Sequence, residues 1–120
     1  MKKKLLLSFC LFTISYSLIL GQNTFVKTIG GTGDEIARAA IKTIDNNFLI
    51  AGYTTSFGSG GEDGYILKVD TSGEEIWSKT IGGTSNDRLN NIIQLSNSDF
   101  LIIGWTQSFG SGGKLSLIHI

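Results

Sequence analysis

The feature that most constrains this chain is a self-similarity at one fixed distance. Thr28-Ile29-Gly30-Gly31-Thr32 recurs as Thr80-Ile81-Gly82-Gly83-Thr84, 52 residues later. Phe48-Leu49-Ile50 recurs as Phe100-Leu101-Ile102 at the same distance. So does Ser56-Phe57-Gly58-Ser59-Gly60-Gly61, as Ser108-Phe109-Gly110-Ser111-Gly112-Gly113. No gap is needed: 27–61 laid over 79–113 is identical at 18 of 35 positions. Replacements keep their kind, with Tyr53 against Trp105, Phe25 against Trp77 and Asp34-Glu35 against Asn86-Asp87. A constant period implies one supersecondary unit copied in tandem, which buries its apolar face by stacking on its neighbours.

What the unit contains follows from its punctuation. The chain has 16 Gly and no Pro, and its Val, Ile, Leu, Phe and Tyr runs are cut by Gly, Asn, Asp and Ser. That is the pattern of short strands and tight turns. Four strands are expected per copy: 24–29 with 75–81, 36–44 with 88–96, 47–55 with 99–107, and 64–70 with no convincing counterpart. Asp45-Asn46-Asn47 and Asn97-Ser98-Asp99 join the second and third strands, and Asn and Asp tolerate the positive φ of a tight hairpin. Asp70-Thr71-Ser72-Gly73 joins the fourth strand to the next copy. The run 48–53 is apolar on both faces, as in a strand covered by stacked sheets. The alternation of Ile66, Lys68 and Asp70 with Leu67 and Val69 suits a strand nearer an edge.

One segment competes for helix. Residues 34–41 carry an N-cap-like Asp34, good helix formers, and apolar Ile36, Ala37, Ala40 and Ile41. The counterpart at 88–95 places Asn90 and Asn91 mid-segment. Since copies share a structure, strand is expected for both.

Four antiparallel strands in 40 to 50 residues match a β-propeller blade. The pattern Trp77-x-Lys79-Thr80-x-Gly82-Gly83, then Phe-Leu-Ile-x-Gly-aromatic-Thr, Ser-Phe-Gly, and Asp63-Gly64-Tyr65-Ile66-x-Lys68-x-Asp70-x-x-Gly73-x-x-x-Trp77 resembles the bacterial β-propeller repeats of secreted and cell-surface proteins, of the Bacteroidetes type. That resemblance implies an all-β fold of two tandem blades, an incomplete propeller, with blade 1 at 22–73 and a truncated blade 2 at 74–114. It also implies structural roles for Trp77 and Trp105, for Gly30 and Gly31 with Gly82 and Gly83, and for Gly52 with Gly104. Residues 69–77 are more weakly similar to the tryptophan-docking segment of quinoprotein propeller repeats, which places Trp77 as a wedge between blades. The further residues needed to contact a quinone are absent. Propeller repeats are scaffolds, so the resemblance carries no reaction with it.

The chain opens differently. Lys2, Lys3 and Lys4 precede an apolar run from Leu5 to Leu20, and small, polar Gly21-Gln22-Asn23 follows. This is the layout of a signal peptide, expected to be cut between Gly21 and Gln22, with Ser17 as the alternative. The apolar run is shorter than the roughly 20 residues of a membrane-spanning helix. Phe9 before Cys10, and the position of Cys10 inside the run, argue against lipid attachment there. Removal of 1–21 takes the lone cysteine with it, leaving an exported chain with no disulfide or thiolate metal site, and no stable membrane span.

Charge and motif exclude further classes. Ten Lys and Arg balance ten Asp and Glu, so no basic face is expected and no nucleic-acid partner. The Gly-rich loops have no Lys-Ser/Thr for a phosphate. Asp34, Glu35, Glu62, Asp63, Asn86 and Asp87 are oxygen-rich, but no spacing matches a calcium loop and turn hydrogen bonds are the simpler role. His119 is the sole histidine and assembles no triad. Glu74 and Glu75 are adjacent, so on a strand they point to opposite faces. The expectation is a non-catalytic exported scaffold with no cofactor, serving binding or surface display, with a protein or glycan ligand and further blades as partners. The alternatives are a fragment of a propeller-scaffold glycan lyase or hydrolase with its active site in other blades, and a small free-standing exported β-domain. By the period, Gly113 should be followed by a copy of Glu62–Asp70. Residues 115–120, Leu-Ser-Leu-Ile-His-Ile, instead resemble one reading frame of a sequencing-library adapter, and are expected to be non-native. The tail is nonetheless apolar and strand-like, and able to pair in the missing strand's place.

Overall fold

The structure is a computed structural model that describes residues 26–110 and 116–120. The segment expected to be a signal peptide, its expected cleavage point between Gly21 and Gln22, Cys10 and Phe25 lie outside the described residues. Seven strands follow in order: β1 (Glu35–Lys42), β2 (Phe48–Thr54), β3 (Asp63–Val69), β4 (Glu75–Ile81), β5 (Asp87–Gln94), β6 (Phe100–Thr106) and β7 (Ser116–His119). They form two antiparallel sheets, β1-β2-β3-β4 and β5-β6-β7, and no described residue is helical.

The segment that competes for helix is strand β1, and its pairing explains the ambiguity. β1 runs against β2 from Glu35↔Thr54 to Lys42↔Phe48, with a bulge between Ala37 and Ala39. A bulge inserts one residue and stretches the two-residue alternation locally to three. Ala37 and Ala40, opposite Gly52 and Ile50, therefore share a side at a spacing of three that imitates a helix. β5 has its bulge between Leu89 and Asn91, against β6. The two bulges are 52 residues apart, and Gly52 and Gly104 lie opposite them. A side chain on either glycine would collide with a backbone carbonyl, of Ile36 or of Arg88, so a bare α-carbon is required where the bulged strand leans in.

The hairpin turns follow the expected chemistry with one difference. Asn46 takes the positive φ in the first turn, at 64°, but Ser98 takes it in the second, at 70°. In the turn before β4, Asp70 accepts the Ser72 N–H at 2.8 Å, the Ser72 hydroxyl at 2.6 Å and the Glu74 N–H at 3.0 Å.

Two expectations need correction. Val26 to Ile29 carry no ladder, whereas their counterpart β4 pairs with β3 from Gly64↔Ile81 to Val69↔Glu75. A strand exists through its neighbour, and both edges of β3 are already taken by β2 and β4. For the same reason β3 is an interior strand, not one nearer an edge. The first sheet ends at Ile81 and the second begins at Asp87, because the Trp77 strand closes the first sheet. Finally, 116–119 take the place beside β6 that β3 takes beside β2, but in a different register. Ile50 faces Leu67, so the period predicts residue 119 opposite Ile102; Ile118 stands there instead. A slip of one residue turns every side chain to the opposite face, so β7 does not reproduce β3.

The core lies between the sheets. Leu49, Ala51 and Ile66 of the first sheet meet Leu89, Ile92 and Ile102 of the second, all at most 3% exposed. Ile41, Trp77, Ile81, Phe100, Ile118 and Ile120 pack around them. The sense of this stacking follows from β2 and β6. The first sheet contributes Leu49 and Ala51, whose counterparts Leu101 and Ile103 are on the far side of the second sheet. The second contributes Ile102, whose counterpart Ile50 is on the far side of the first. Equivalent faces thus point the same way, and the sheets stack head to tail.

Candidate functional site

The described loops gather at the ends of β1, β2, β5 and β6, where one hydrogen-bond arrangement occurs at two sets of positions 52 residues apart. In the first, Glu35 accepts the Gly31 N–H at 3.1 Å and the Thr54 hydroxyl at 2.8 Å. The Thr54 oxygen accepts the N–H groups of Ser56 and Phe57 at 2.9 and 3.3 Å. The Ser56 oxygen accepts the Gly33 N–H at 2.8 Å. In the second, Asp87 accepts the Gly83 N–H at 2.9 Å and the hydroxyls of Ser108, at 2.5 Å, and of Thr106. The Thr106 oxygen accepts the N–H groups of Ser108 and Phe109 at 3.1 and 3.2 Å, and the Ser108 oxygen accepts the Ser85 N–H at 3.0 Å. A carboxylate thus pins each Ser-Phe-Gly loop to the Gly-Gly segment before the neighbouring strand.

The carboxylates are held ionised. For Glu35 the Ser56 hydroxyl lowers the pKa most, burial opposes it, and Thr54 and the Gly31 N–H add to the lowering. For Asp87 burial is the largest influence and pushes the carboxyl up. The donors from Ser108, Thr106 and the Gly83 backbone together outweigh it and leave the pKa below the ordinary range.

A third carboxylate, Asp63, is 2% exposed and accepts the Gly60 N–H at 2.9 Å. It crowds Gly58, whose φ of 103° is accessible to glycine without strain, and lies against Gly82. The period puts Leu115 at its counterpart position, so the second loop has no such acid. Beside it, Glu62 grips Arg88 with two oxygens, Nη2 to Oε1 at 2.6 Å and Nε to Oε2. Glu62 raises the Arg88 pKa further. The guanidinium lies 4.5 Å from the Tyr53 ring centre and 5.2 Å from that of Trp105. Arg88 therefore clamps the two sheets together, between aromatic residues at equivalent positions.

Comparison with family models, curated proteins and solved structures gives no match.

The residues singled out from sequence are distributed over both sheets. Gly31 and Gly83 donate to the pinning acids, and Gly30 and Gly82 lie against Glu35 and against Asp63 with Asp87. Trp105 is half-buried beside Arg88. Trp77 is half-buried on β4 and lines a cleft with Lys79, Asp99, Phe100 and Ile120, so it borders the second sheet from the edge of the first. His119 is exposed and lies 3.0 Å from Asp99 Oδ2. Glu35 and Asp87 make the loop hydrogen bonds expected of them, whereas Thr54, Thr106 and Arg88 emerge only in three dimensions. The sequence signal of the network is an acid, a Thr and a Ser, each recurring at the period; Arg88 has Ile36 at its counterpart and no such signal.

Chemically, the pinning acids spend their lone pairs on internal donors. Among the described residues every buried side-chain polar atom is partnered, and no group of three His, Cys, Asp or Glu is placed to hold a metal. No described helix is long and apolar enough to cross a membrane. What remains unpartnered is apolar surface. On the outer side of the second sheet Ile93 and Ile103 are 49% and 39% exposed. On the outer side of the first a cleft of about 260 Å³ opens among Ile29, Ile36, Ala37, Ile50 and Leu67.

Proposed function

We propose that the chain is part of an exported β-propeller, a non-catalytic scaffold that binds or displays at its loop end. The head-to-tail stacking of its sheets carries this reading. A heterologous interface repeats in the same sense and closes only when a ring is complete. Two sheets stacked this way leave one open face of each kind, as the outer faces here do. The internally saturated carboxylates support a loop-building role over a catalytic one. The lysine-rich start and apolar run support export, and with it a ligand outside the cell, a protein or a glycan.

The test is to purify the mature chain, residues 22–120, and follow its melting and sedimentation. A chain with open faces unfolds without one sharp monomeric transition and associates as concentration rises. A monomer with a single cooperative melt would instead establish a free-standing β-domain.

A further inference from the structure

The acids and hydroxyls of the loop network bond to one another, but a second cleft beside the first Ser-Phe-Gly loop has polar groups turned outward. It has a volume of about 400 Å³ and runs along β4, past Glu75, Ser78, Lys79 and Thr80, to Phe57 and Tyr65. Ile29 and Gly30 complete its lining. β4 pairs with β3 so that Thr80 stands opposite Tyr65 and Ser78 opposite Leu67. Paired residues share a face, so Ser78, Thr80 and Tyr65 lie on the outer side of the sheet, while Ile66 between Tyr65 and Leu67 enters the core.

The two rings give the cleft a platform. Phe57 and Tyr65 are stacked, with centres 5.7 Å apart and planes at 27°. Tyr65 is half-buried and holds the plane of Phe57, which stays 41% exposed. A ring that is fixed in place but uncovered is preorganised, because it loses little freedom when a ligand covers it. Phe109 in the equivalent loop is also exposed, but among the described residues no ring stacks on it.

The polar lining sets the chemistry. One carboxylate and one ammonium cancel in charge, and the two hydroxyls both donate and accept. Among the described residues neither Glu75 nor Lys79 enters an ion pair, whereas the adjacent Glu74 is held by Lys27. Such a lining gives an anion or a cation no net attraction, but it matches a neutral ligand dense in hydroxyl groups. An uncharged pyranose chair has both complementary parts: a face of axial C–H groups to lie on an aromatic ring, and a girdle of equatorial hydroxyls. The volume falls in the range of small-ligand sites, roughly 300–1,000 Å³.

We propose that this cleft binds a neutral oligosaccharide of β-linked hexopyranoses, one sugar stacking on Phe57 and its hydroxyls meeting Glu75, Ser78, Lys79 and Thr80. The proposal rests on the reading of an exported chain whose ligand lies outside the cell, and selects glycan over protein as that ligand.

Surface plasmon resonance tests it with residues 22–120 immobilised, so that binding is read apart from any self-association. The probes are cellohexaose, laminarihexaose and, as a charged contrast, hexagalacturonate. At least one neutral probe is expected to bind saturably, and hexagalacturonate more weakly. Phe57→Ala, a change at an exposed side chain, should weaken binding about tenfold. Tyr65→Phe, which keeps the stacked ring, should preserve most of it, and Phe109→Ala should leave it unchanged. No saturable binding of either neutral probe, tighter binding of hexagalacturonate, or equal losses in Phe57→Ala and Phe109→Ala would overturn the proposal. A chain that melts cooperatively as a monomer yet binds the sugar would overturn the propeller reading and keep the site; one that associates and binds no sugar would do the reverse.

Discussion

At the scale of single residues, short polar side chains rather than apolar ones shape the loop end. Ser56 and Ser108, Thr54 and Thr106 were legible as identities at the period, but not as members of one network. The network depends on Glu35 and Asp87, acids of different length that reach equivalent N–H groups. Because both acids have folded pKa values below their unfolded ones, their contribution is present above the ordinary carboxylate range, near pH 4, and is lost as pH falls through the depressed values. Urea titrations of residues 22–120 should show stability falling below about pH 4, and Asp87→Asn should flatten part of that slope. At neutral pH the same change should cost about 1–3 kcal/mol, since one of the two oxygens that accept from Ser108, Thr106 and Gly83 becomes an NH₂ donor. A second residue-scale prediction concerns Ser98, a side chain in the left-handed region where the first hairpin has Asn46. Ser98→Asn should raise stability by about 0.5–1 kcal/mol in the same titrations.

At the scale of elements, sequence spacing located the strands better than it located their partners. β1 is ambiguous in sequence because a bulge mimics helical spacing, and the segment 24–29 matches the first strand of a unit when strands are taken in chain order. Pairing does not follow that order: the copy at Glu75–Ile81 closes the sheet of the preceding strands. The bulges set a strict demand on Gly52 and Gly104. Gly52→Ala should cost about 2–3 kcal/mol by forcing β1 off β2, whereas Gly110→Ala, with no described residue within 4 Å of the added methyl, should cost only about 1 kcal/mol through its φ of 87°. The two melting temperatures decide this. The register of β7 yields another outcome. Replacing residues 114–120 by the sequence of 62–70 restores an acid in the Asp63 position and the β3 register. It should stabilise the second sheet by about 1 kcal/mol or more, read as slower amide exchange in β6.

At the scale of the whole molecule, the stacking sense decides what the chain can be part of. The five buried Leu and Ile side chains of the core contribute on the order of 1.5–3 kcal/mol each, together well above the roughly 1–2 kcal/mol expected of the Arg88 clamp between its two rings. Apolar stacking, not the charged bridge, therefore holds the sheets together, and apolar side chains are exposed on both outer faces as well. The period foretold copies of one unit, but not their sense, because alternation along a strand does not say which side meets which neighbour. The most direct measurement is small-angle scattering of chains carrying increasing numbers of the 52-residue unit. Head-to-tail stacking predicts that the radius of gyration grows and then stops at one unit number, where the chain becomes a compact monomer with a sharply raised melting temperature. A radius that keeps growing with every added unit, with no such step, would contradict the closed-ring account.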